Sequence, residues 1–342
     1  MTERCALVTG ASGFIASHLV PTLAASGWAV RACGRRPRPA GLPADTDYRS
    51  VDLVDGDLDE LVDGVTHVLH LAGASSSRSD QEQMQRDNVL ATQALFDALA
   101  NAGAVERVLV MSSTSVYGED EQLPSPVPED VKPHPSRGYG KAKWEAEQVA
   151  WRFGEQGMDV VVVRPVSVHG PGAVKLVAGV ILDVAIERFM GLDRLAVYRQ
   201  PVEQRLVHIV DVVGACLHLM NHPGAAGRTF NIASGAYPTS LDVAEIVAER
   251  FGMVVELADD PECGPSYDQR QEAHQAMVAQ GMAEHILLSE ERFRFLRKSN
   301  RNNRLSLEAL LGTGFRFDRA DPGPAIVADI DWYADQRWVL AP

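Results

Sequence analysis

Apolar positions along the first two thirds of the chain take two alternating forms. Short continuous runs of about five residues alternate with longer stretches in which apolar residues recur every three or four positions. The first form reads as a buried strand and the second as a helix with one apolar face. Strands are predicted at Cys5 to Thr9, Ala29 to Cys33, Tyr48 to Val51, His67 to Leu71, Arg107 to Met111 and Val160 to Arg164, with Arg228 to Ile232 as the last. Between them, Phe14, Ile15, Leu19, Val20 and Leu23 mark one helix, a second runs from about Gln81 to Asn101, and a third starts near Ser136. Later helices are read at Ser240 to Phe251, Tyr267 to Glu284 and Ser306 to Leu311. The terminal IVADIDWYADQRWVL is also read as helical, with Trp332 and Trp338 inward. Strand and helix in strict alternation predict an α/β fold with a doubly wound parallel sheet.

In such a sheet, ligands bind beyond the carboxyl ends of the strands, so the residues that follow each strand matter most. After the first strand, Gly10 and Gly13 would let backbone approach an anion at a helix N-terminus, where N–H groups and the dipole favour negative charge. After the second, Gly34 stands where an acid would hold a ribose 2′-hydroxyl, and Arg35 and Arg36 follow. Guanidinium forks without the acid suit a 2′-phosphate, which favours NADP over NAD. Asp52 and Leu53 follow the third strand, where an acid could meet an adenine amino group. AGASSS after the fourth is a small-residue turn, and the next helix carries Asn88. The fifth strand ends in the hydroxyl cluster Ser112 to Ser115. In the helix beyond, Tyr139 precedes Lys143 by four residues, which puts both on one face. A positive charge about 4 Å from a phenol favours the phenolate by roughly 4 kcal/mol at a protein-like dielectric, about three pKa units. Tyr139 is therefore expected to have a lowered pKa.

Composition narrows the class. The 342 residues carry a net charge of -14, which argues against nonspecific nucleic-acid binding and makes any basic cluster stand out. Six cations fall between positions 292 and 304 (Arg292, Arg294, Arg297, Lys298, Arg301 and Arg304), a candidate anion clamp or a solvated face. The four cysteines form no CxxC pair and read as reduced packing residues, with no metal expected. No signal peptide or membrane-length apolar run is read, so a cytoplasmic protein is expected.

TGASGFIA, HLAG, DNVLAT, SSTSVYG, Tyr139-Gly-Lys-Ala-Lys143 and RPVSVHGPG, in this order, resemble the extended short-chain dehydrogenases/reductases, the NAD(P)-dependent epimerase/dehydratase group. The resemblance covers roughly residues 5 to 235. It implies a Rossmann-type domain at 1–170 and 205–235 and a smaller, discontinuous substrate domain at 171–204 and 236–342. Ser113, Tyr139 and Lys143 become the implied catalytic set. Implied cofactor contacts are Gly10, Ser12, Gly13, Phe14, Ile15, Arg35, Arg36, Asp52, Leu53, Leu71, Ala72, Gly73, Asn88, Pro165 and Val168, besides Tyr139 and Lys143. Implied substrate contacts are Ser75, Thr114, Ser115, Ser167, His169 and Arg205, and Arg301 of the basic stretch is read as a further candidate contact. A nucleotide-activated sugar is the implied substrate, and a homodimer through the helices around Asn88 and Tyr139 the implied assembly.

Departures from the family pattern refine the chemistry. Dehydratases of the group carry an Asp-Glu pair before Val-Tyr-Gly, where this chain has Thr114 and Ser115. Neither can move a proton on carbon at neutral pH, so dehydration is demoted and hydride transfer remains. Ketone reduction is favoured, an epimerase with recycled NAD(P) is the alternative, and the intact Ser113, Tyr139 and Lys143 argue against a non-catalytic nucleotide sensor. Ser167 replaces a common Asn, His169 a common Tyr, and Gln204 stands at a usual arginine position with Arg205 next to it. His208 reads as an interior strand histidine.

Overall fold

The computed structural model describes residues 4–74, 80–103, 105–118, 123–135, 138–293, 296 and 304–342. The chain divides into two compact units. The first comprises 1–166, 210–233 and 305–316, and the second 167–209, 234–304 and 317–342.

The first unit is built on a seven-stranded sheet. Its strands are β1 (Cys5–Thr9), β2 (Ala29–Gly34), β3 (Asp47–Ser50), β4 (His67–His70), β5 (Arg107–Met111), β6 (Val160–Pro165) and β10 (Arg228–Ile232). They pair in the order β10-β6-β5-β4-β1-β2-β3, every pair parallel. The order reverses between β1 and β4, and the crevice beyond their carboxyl ends is where a doubly wound sheet receives ligand. Every residue of β4, β5 and β6 is buried, as central parallel strands covered on both faces should be. The helices α4 (Ala91–Ala102) and α5 (Gly138–Glu155) cover one of those faces, and Leu95, Phe96, Leu99, Val149, Ala150 and Phe153 join the strands in one core cluster.

The helix expected over 81–101 is broken into three parts. α3 (Gln81–Met84) passes into a π-helical stretch, Gln85–Leu90, before α4 begins. The segment 305–316, expected with the substrate domain, packs in the first unit: Ser306 N donates to the Val127 carbonyl at 2.9 Å and Thr313 Oγ1 meets His218 Nε2 at 2.8 Å. Its helix is only Glu308–Leu311.

The second unit contains two parallel two-stranded pairs. β7 (Ser167–His169) pairs with β9 (Leu206–His208), and β8 (Arg194–Tyr198) with β11 (Val254–Ala258). β11 follows Arg228–Ile232, so that strand is not the last. The run VVELA was there to read but is cut by Glu256 and only partly buried, with Val254 64% exposed and Leu257 42%. Helix α9 covers Tyr267–Ala279 and stops at Gly281, whose positive φ ends the helix before the expected Glu284. The C-terminal helix, Pro322–Asp335, buries Tyr333 rather than the tryptophans. The Tyr333 hydroxyl donates to the Gly170 and Ala173 carbonyls, while Trp332 and Trp338 pack against it half-buried. All four cysteines are free thiols, and burial pushes Cys33 and Cys216 up to about 12. Among the described residues no helix is long and apolar enough to cross a membrane.

Candidate active site

The glycine turn after β1 has the geometry its sequence requires. Gly10 has φ +71°, and a side chain there would press on the Ala72 backbone at 2.9 Å. Gly13 N donates to the Gly10 carbonyl at 2.9 Å, and Gly13 caps α1 (Phe14–Ala25) with no side chain covering the first-turn N–H groups. There is no acid in that first turn. Ser12 is exposed, and Phe14 and Ile15 are half-buried at the same bare end. The turn and the bare helix end form a cradle whose geometry fits a phosphate group.

Behind the cradle runs a buried polar chain that the sequence reading missed. Thr9 Oγ1 accepts from Leu71 N at 3.2 Å and Ala72 N at 3.1 Å, and meets His70 Nδ1 at 2.8 Å. His70 Nε2 meets Thr92 Oγ1 at 2.9 Å, and that hydroxyl donates to the Asn88 carbonyl. Because Thr92 gives its proton to Asn88, it must accept from His70, which fixes the neutral tautomer with hydrogen on Nε2. Burial, then the charge of Lys143, pulls the His70 pKa down to about 3. The chain joins the Leu71–Gly73 turn to the π-helical stretch. Asn88 Nδ2 donates to the Met84 and Ala74 carbonyls, while its buried Oδ1 has no hydrogen-bond partner. A side chain at Gly73 would overlap Asn88 Oδ1 and lie 3.1 Å from Lys143 Nζ, so these three groups converge.

At the end of β2, the two terminal nitrogens of the Arg35 guanidinium donate to Asp87, each at 2.9 Å. Tyr48 secures the following turn by donating to the Arg36 carbonyl. Asp52 accepts from Val54 N and from Arg86, and these bonds outweigh its desolvation and hold its carboxyl below the usual range. Leu53 beside it is buried.

Ser113, Tyr139 and Lys143 are brought together by α5, β5 and the 3₁₀ turn Thr114–Tyr117. Ser113 caps that turn, accepting from Ser115 N and donating to Ser115 Oγ, both at 3.2 Å. Gly140 permits the contact, since a Cβ there would overlap the Ser115 carbonyl oxygen and lie 3.0 Å from its carbon. Tyr139 is half-buried and hydrogen-bonded to Ser113. Its pKa is raised, not lowered as the Lys143 spacing predicted: burial pushes the phenol up, and the Ser113 bond only partly opposes this. Lys143 Nζ is turned to the Met111 carbonyl at 3.0 Å. Burial lowers its pKa to about 8, against the raising charge of Glu147. Thr114 Oγ1 reaches the Pro165 carbonyl at 3.4 Å, and Ser115 is exposed.

Beneath this set lies a second network absent from the sequence reading. Glu147 accepts from Ser112 Oγ and from Arg164, whose NH1 donates to the Tyr117 hydroxyl, which in turn donates to Asn231 Oδ1. The signal was available, since Glu147 follows Lys143 by four residues just as Lys143 follows Tyr139.

The second unit places its candidates differently. Ser167 and Val168 are half-buried on β7, but His169 is buried, its Nδ1 2.8 Å from Asp329 Oδ2. His208, its register partner on β9, meets Asp329 Oδ1 at 3.3 Å. The carboxylate bridges both imidazoles; although desolvation opposes ionisation, these bonds keep Asp329 below its ordinary range. Arg205 is half-buried, and desolvation lowers its pKa. Gln204 is fully buried and donates to the Val202 carbonyl. The basic stretch at 292–304 is no uniform clamp: Arg292 is a buried partner of Glu187, and Arg304 pairs with Glu203 at 2.8 Å. Buried Glu187 on α6 (Val177–Phe189) needs a cation, which accounts for Arg292. Ser75, Arg301, Arg294, Arg297 and Lys298 lie outside the described residues.

A dinucleotide fits these residues, on the evidence of the Gly10 cradle, the bare α1 terminus and the unpartnered Asn88 Oδ1. The model of the NAD dependent epimerase/dehydratase family matches residues 6–233. GDP-6-deoxy-D-mannose reductase of Pseudomonas aeruginosa is 31% identical over 272 residues, 76% of this chain and 84% of that protein. Tetraketide alpha-pyrone reductase 2 of Arabidopsis thaliana is 32% identical over 270 residues, 72% of this chain and 82% of its own. The solved structure of MoeE5 in complex with UDP-glucose and NAD has a TM-score of 0.72 and 26% identity, covering 97% of this chain and 99% of that one.

Proposed function

We propose that this chain, which belongs to the NAD dependent epimerase/dehydratase family, is a reductase that converts a ketone of a nucleotide-activated sugar to the alcohol. The observation that carries the reading is the hydrogen-bonded Ser113 and Tyr139 pair with Lys143 one helical turn away. A bound nicotinamide dinucleotide would supply the hydride to carbon. Gly10, Gly13 and the α1 terminus would hold its pyrophosphate, and Asn88 and Lys143 its nicotinamide ribose. Tyr139 donates its phenolic proton to the carbonyl oxygen while the Ser113 hydroxyl hydrogen-bonds the same oxygen. A phenol whose pKa is raised stays protonated at neutral pH, which suits donation and hence reduction. With Thr114 and Ser115 in place of carboxylates, the site has no group at those positions to assist loss of water.

The sugar class is supported by the GDP-6-deoxy-D-mannose reductase relative and by MoeE5 with its UDP-glucose. NADP is the preferred cofactor in this reading, since β2 ends without an acid and Arg35 and Arg36 follow. A 2′-phosphate would draw the Arg35 fork from Asp87, a partner with which it is half-exposed at 54%. Substrate recognition is assigned to the second unit, and a homodimer to the helices around Asn88 and Tyr139, where Leu90 is 48% exposed.

The test is cofactor stoichiometry with a panel of nucleotide-activated 4-keto sugars. One NADPH should be oxidised per alcohol formed, with NADH about tenfold less efficient, the scale of one lost charge-assisted contact. Equal use of both cofactors would remove the NADP preference. Interconversion of epimers with no net change in the reduced-nicotinamide band would replace the reductase with an epimerase.

A further inference from the structure

Ser112 occupies a position between two residues of the catalytic set. Before it, the Met111 carbonyl takes the Lys143 ammonium; after it comes Ser113, bonded to Tyr139. Its backbone N–H donates to the Val163 carbonyl at 2.8 Å, and its hydroxyl donates to Glu147 Oε1. Glu147 is fully buried, and Arg164 grips both its oxygens, Nε to Oε1 at 3.0 Å and NH2 to Oε2 at 2.6 Å. Arg164 is itself anchored by the Tyr117 hydroxyl at 2.9 Å and the Glu129 carbonyl at 3.2 Å. The Glu147–Arg164 pair alone would join α5 to β6. The bond to Ser112 adds a third element, β5, at the point where its chain turns into the catalytic loop.

We propose that Glu147 is a positioning residue for the reaction: held by Arg164, it fixes Ser112 and thereby sets both the carbonyl that orients Lys143 and the loop that presents Ser113 to Tyr139. The proposal rests on the reading of Ser113, Tyr139 and Lys143 given above. Glu147 also acts through its charge. Buried Lys143 is pulled toward its neutral form, and Glu147, one helical turn away, opposes that. Among the described residues, the other titratable groups in this network are Tyr139 on α5, Arg164 on β6, Tyr117 on the 3₁₀ turn, Glu129 in the preceding loop and His70 on β4. On the packed elements Lys141 pairs with Glu145, Asp87 with Arg35, Arg86 with Asp52 and Arg107 with Asp159. Arg164 is matched by Glu147 itself, and His70 is neutral. Glu147 is therefore the anion that supports the Lys143 charge.

Two variants separate the roles. Ser112→Ala removes the hydroxyl and keeps the Glu147–Arg164 pair. It should fold and bind cofactor unchanged, with a melting temperature roughly a few degrees lower for the lost bond to a buried carboxylate, yet lose about tenfold in kcat, the cost of a slightly misplaced reacting group. Unchanged kcat, or a lower kcat matched by lost cofactor binding and a larger fall in melting temperature, would overturn the proposal. Glu147→Gln keeps the shape and removes the charge, so the alkaline limb of its kcat profile should move to lower pH, while that of Ser112→Ala stays. An unmoved limb in folded Glu147→Gln also overturns the proposal, and if that variant does not fold, Ser112→Ala decides alone. Tyr139→Phe is the control: were it active, the catalytic reading would fall, whereas an inactive Tyr139→Phe beside a fully active Ser112→Ala rejects the role of Glu147 only.

Discussion

His70 is held neutral by the two hydroxyls it touches. Thr9 must keep its oxygen turned to Leu71 N and Ala72 N, so Nδ1 has to accept, and a second ring proton would break that chain. The folded pKa of about 3 lies below the ordinary 6.5. Above pH 6.5 neither state binds the proton and there is no penalty. Between 6.5 and 3 only the unfolded chain binds it, so stability falls by roughly 1.4 kcal/mol per pH unit, on the order of 5 kcal/mol in all. Urea midpoints measured from pH 7.5 to 4 should fall steeply for the wild type. His70→Gln should start lower and fall less steeply; an identical slope would show that His70 is not the group that protonates. The sequence HVLHL identified the strand, but nothing in it distinguished His70 from any interior polar residue. Its role depends on Thr9 and Thr92, which only the sheet order and the following helix bring to its two nitrogens. Tyr139 shows the converse limit: its neighbour at helical spacing was legible, but the burial that raises its pKa was not.

At the scale of elements, the proposed chemistry depends on how closely α5 approaches the 3₁₀ turn after β5. Gly140 sets that distance, and an alanine there would press on the Ser115 carbonyl. Gly140→Ala should cost about 1–3 kcal/mol as an overpacked contact and lower kcat by roughly one to two orders of magnitude as Tyr139 moves from Ser113. Gly138→Ala, in the same helix with open space at its Cβ, should leave both nearly unchanged. Thermal melts and steady-state kinetics on the pair check this, and a fully active Gly140→Ala would contradict it. Strand and helix existence was readable from periodicity because β1, β4, β5 and β6 are buried on both faces. The π-helical stretch was not. QRDNVL has no breaker, and its backbone pattern coincides with the bonds Asn88 makes to Met84 and Ala74, one of which is tertiary.

On the scale of the whole molecule, the parallel sheet in the order β10-β6-β5-β4-β1-β2-β3 brings the ends of β1, β2, β4 and β5 to one edge. In the proposed reading, motifs spread from Gly10 to Lys143 serve one site, and this was legible in part because Gly10, Arg35, Leu71 and Ser113 follow strands closely, whereas Asn88 and Tyr139 sit on the helices beyond. The second unit was less so. Its strands are short and partly exposed, and Arg292, read as part of an anion clamp or a solvated face, belongs to a buried ion pair whose partner, Glu187, lies 105 positions away in sequence. The claim on which the rest depends is that Tyr139 moves the proton in hydride chemistry. The most direct measurement is single-turnover oxidation of bound NADPH by a ketone substrate in Tyr139→Phe, together with the cofactor dissociation constant. The variant lacks only the phenolic hydroxyl, so cofactor should bind within about twofold of wild type while the rate falls by at least about 10²-fold, the usual contribution of a general acid. Oxidation of NADPH at the wild-type rate would contradict the account.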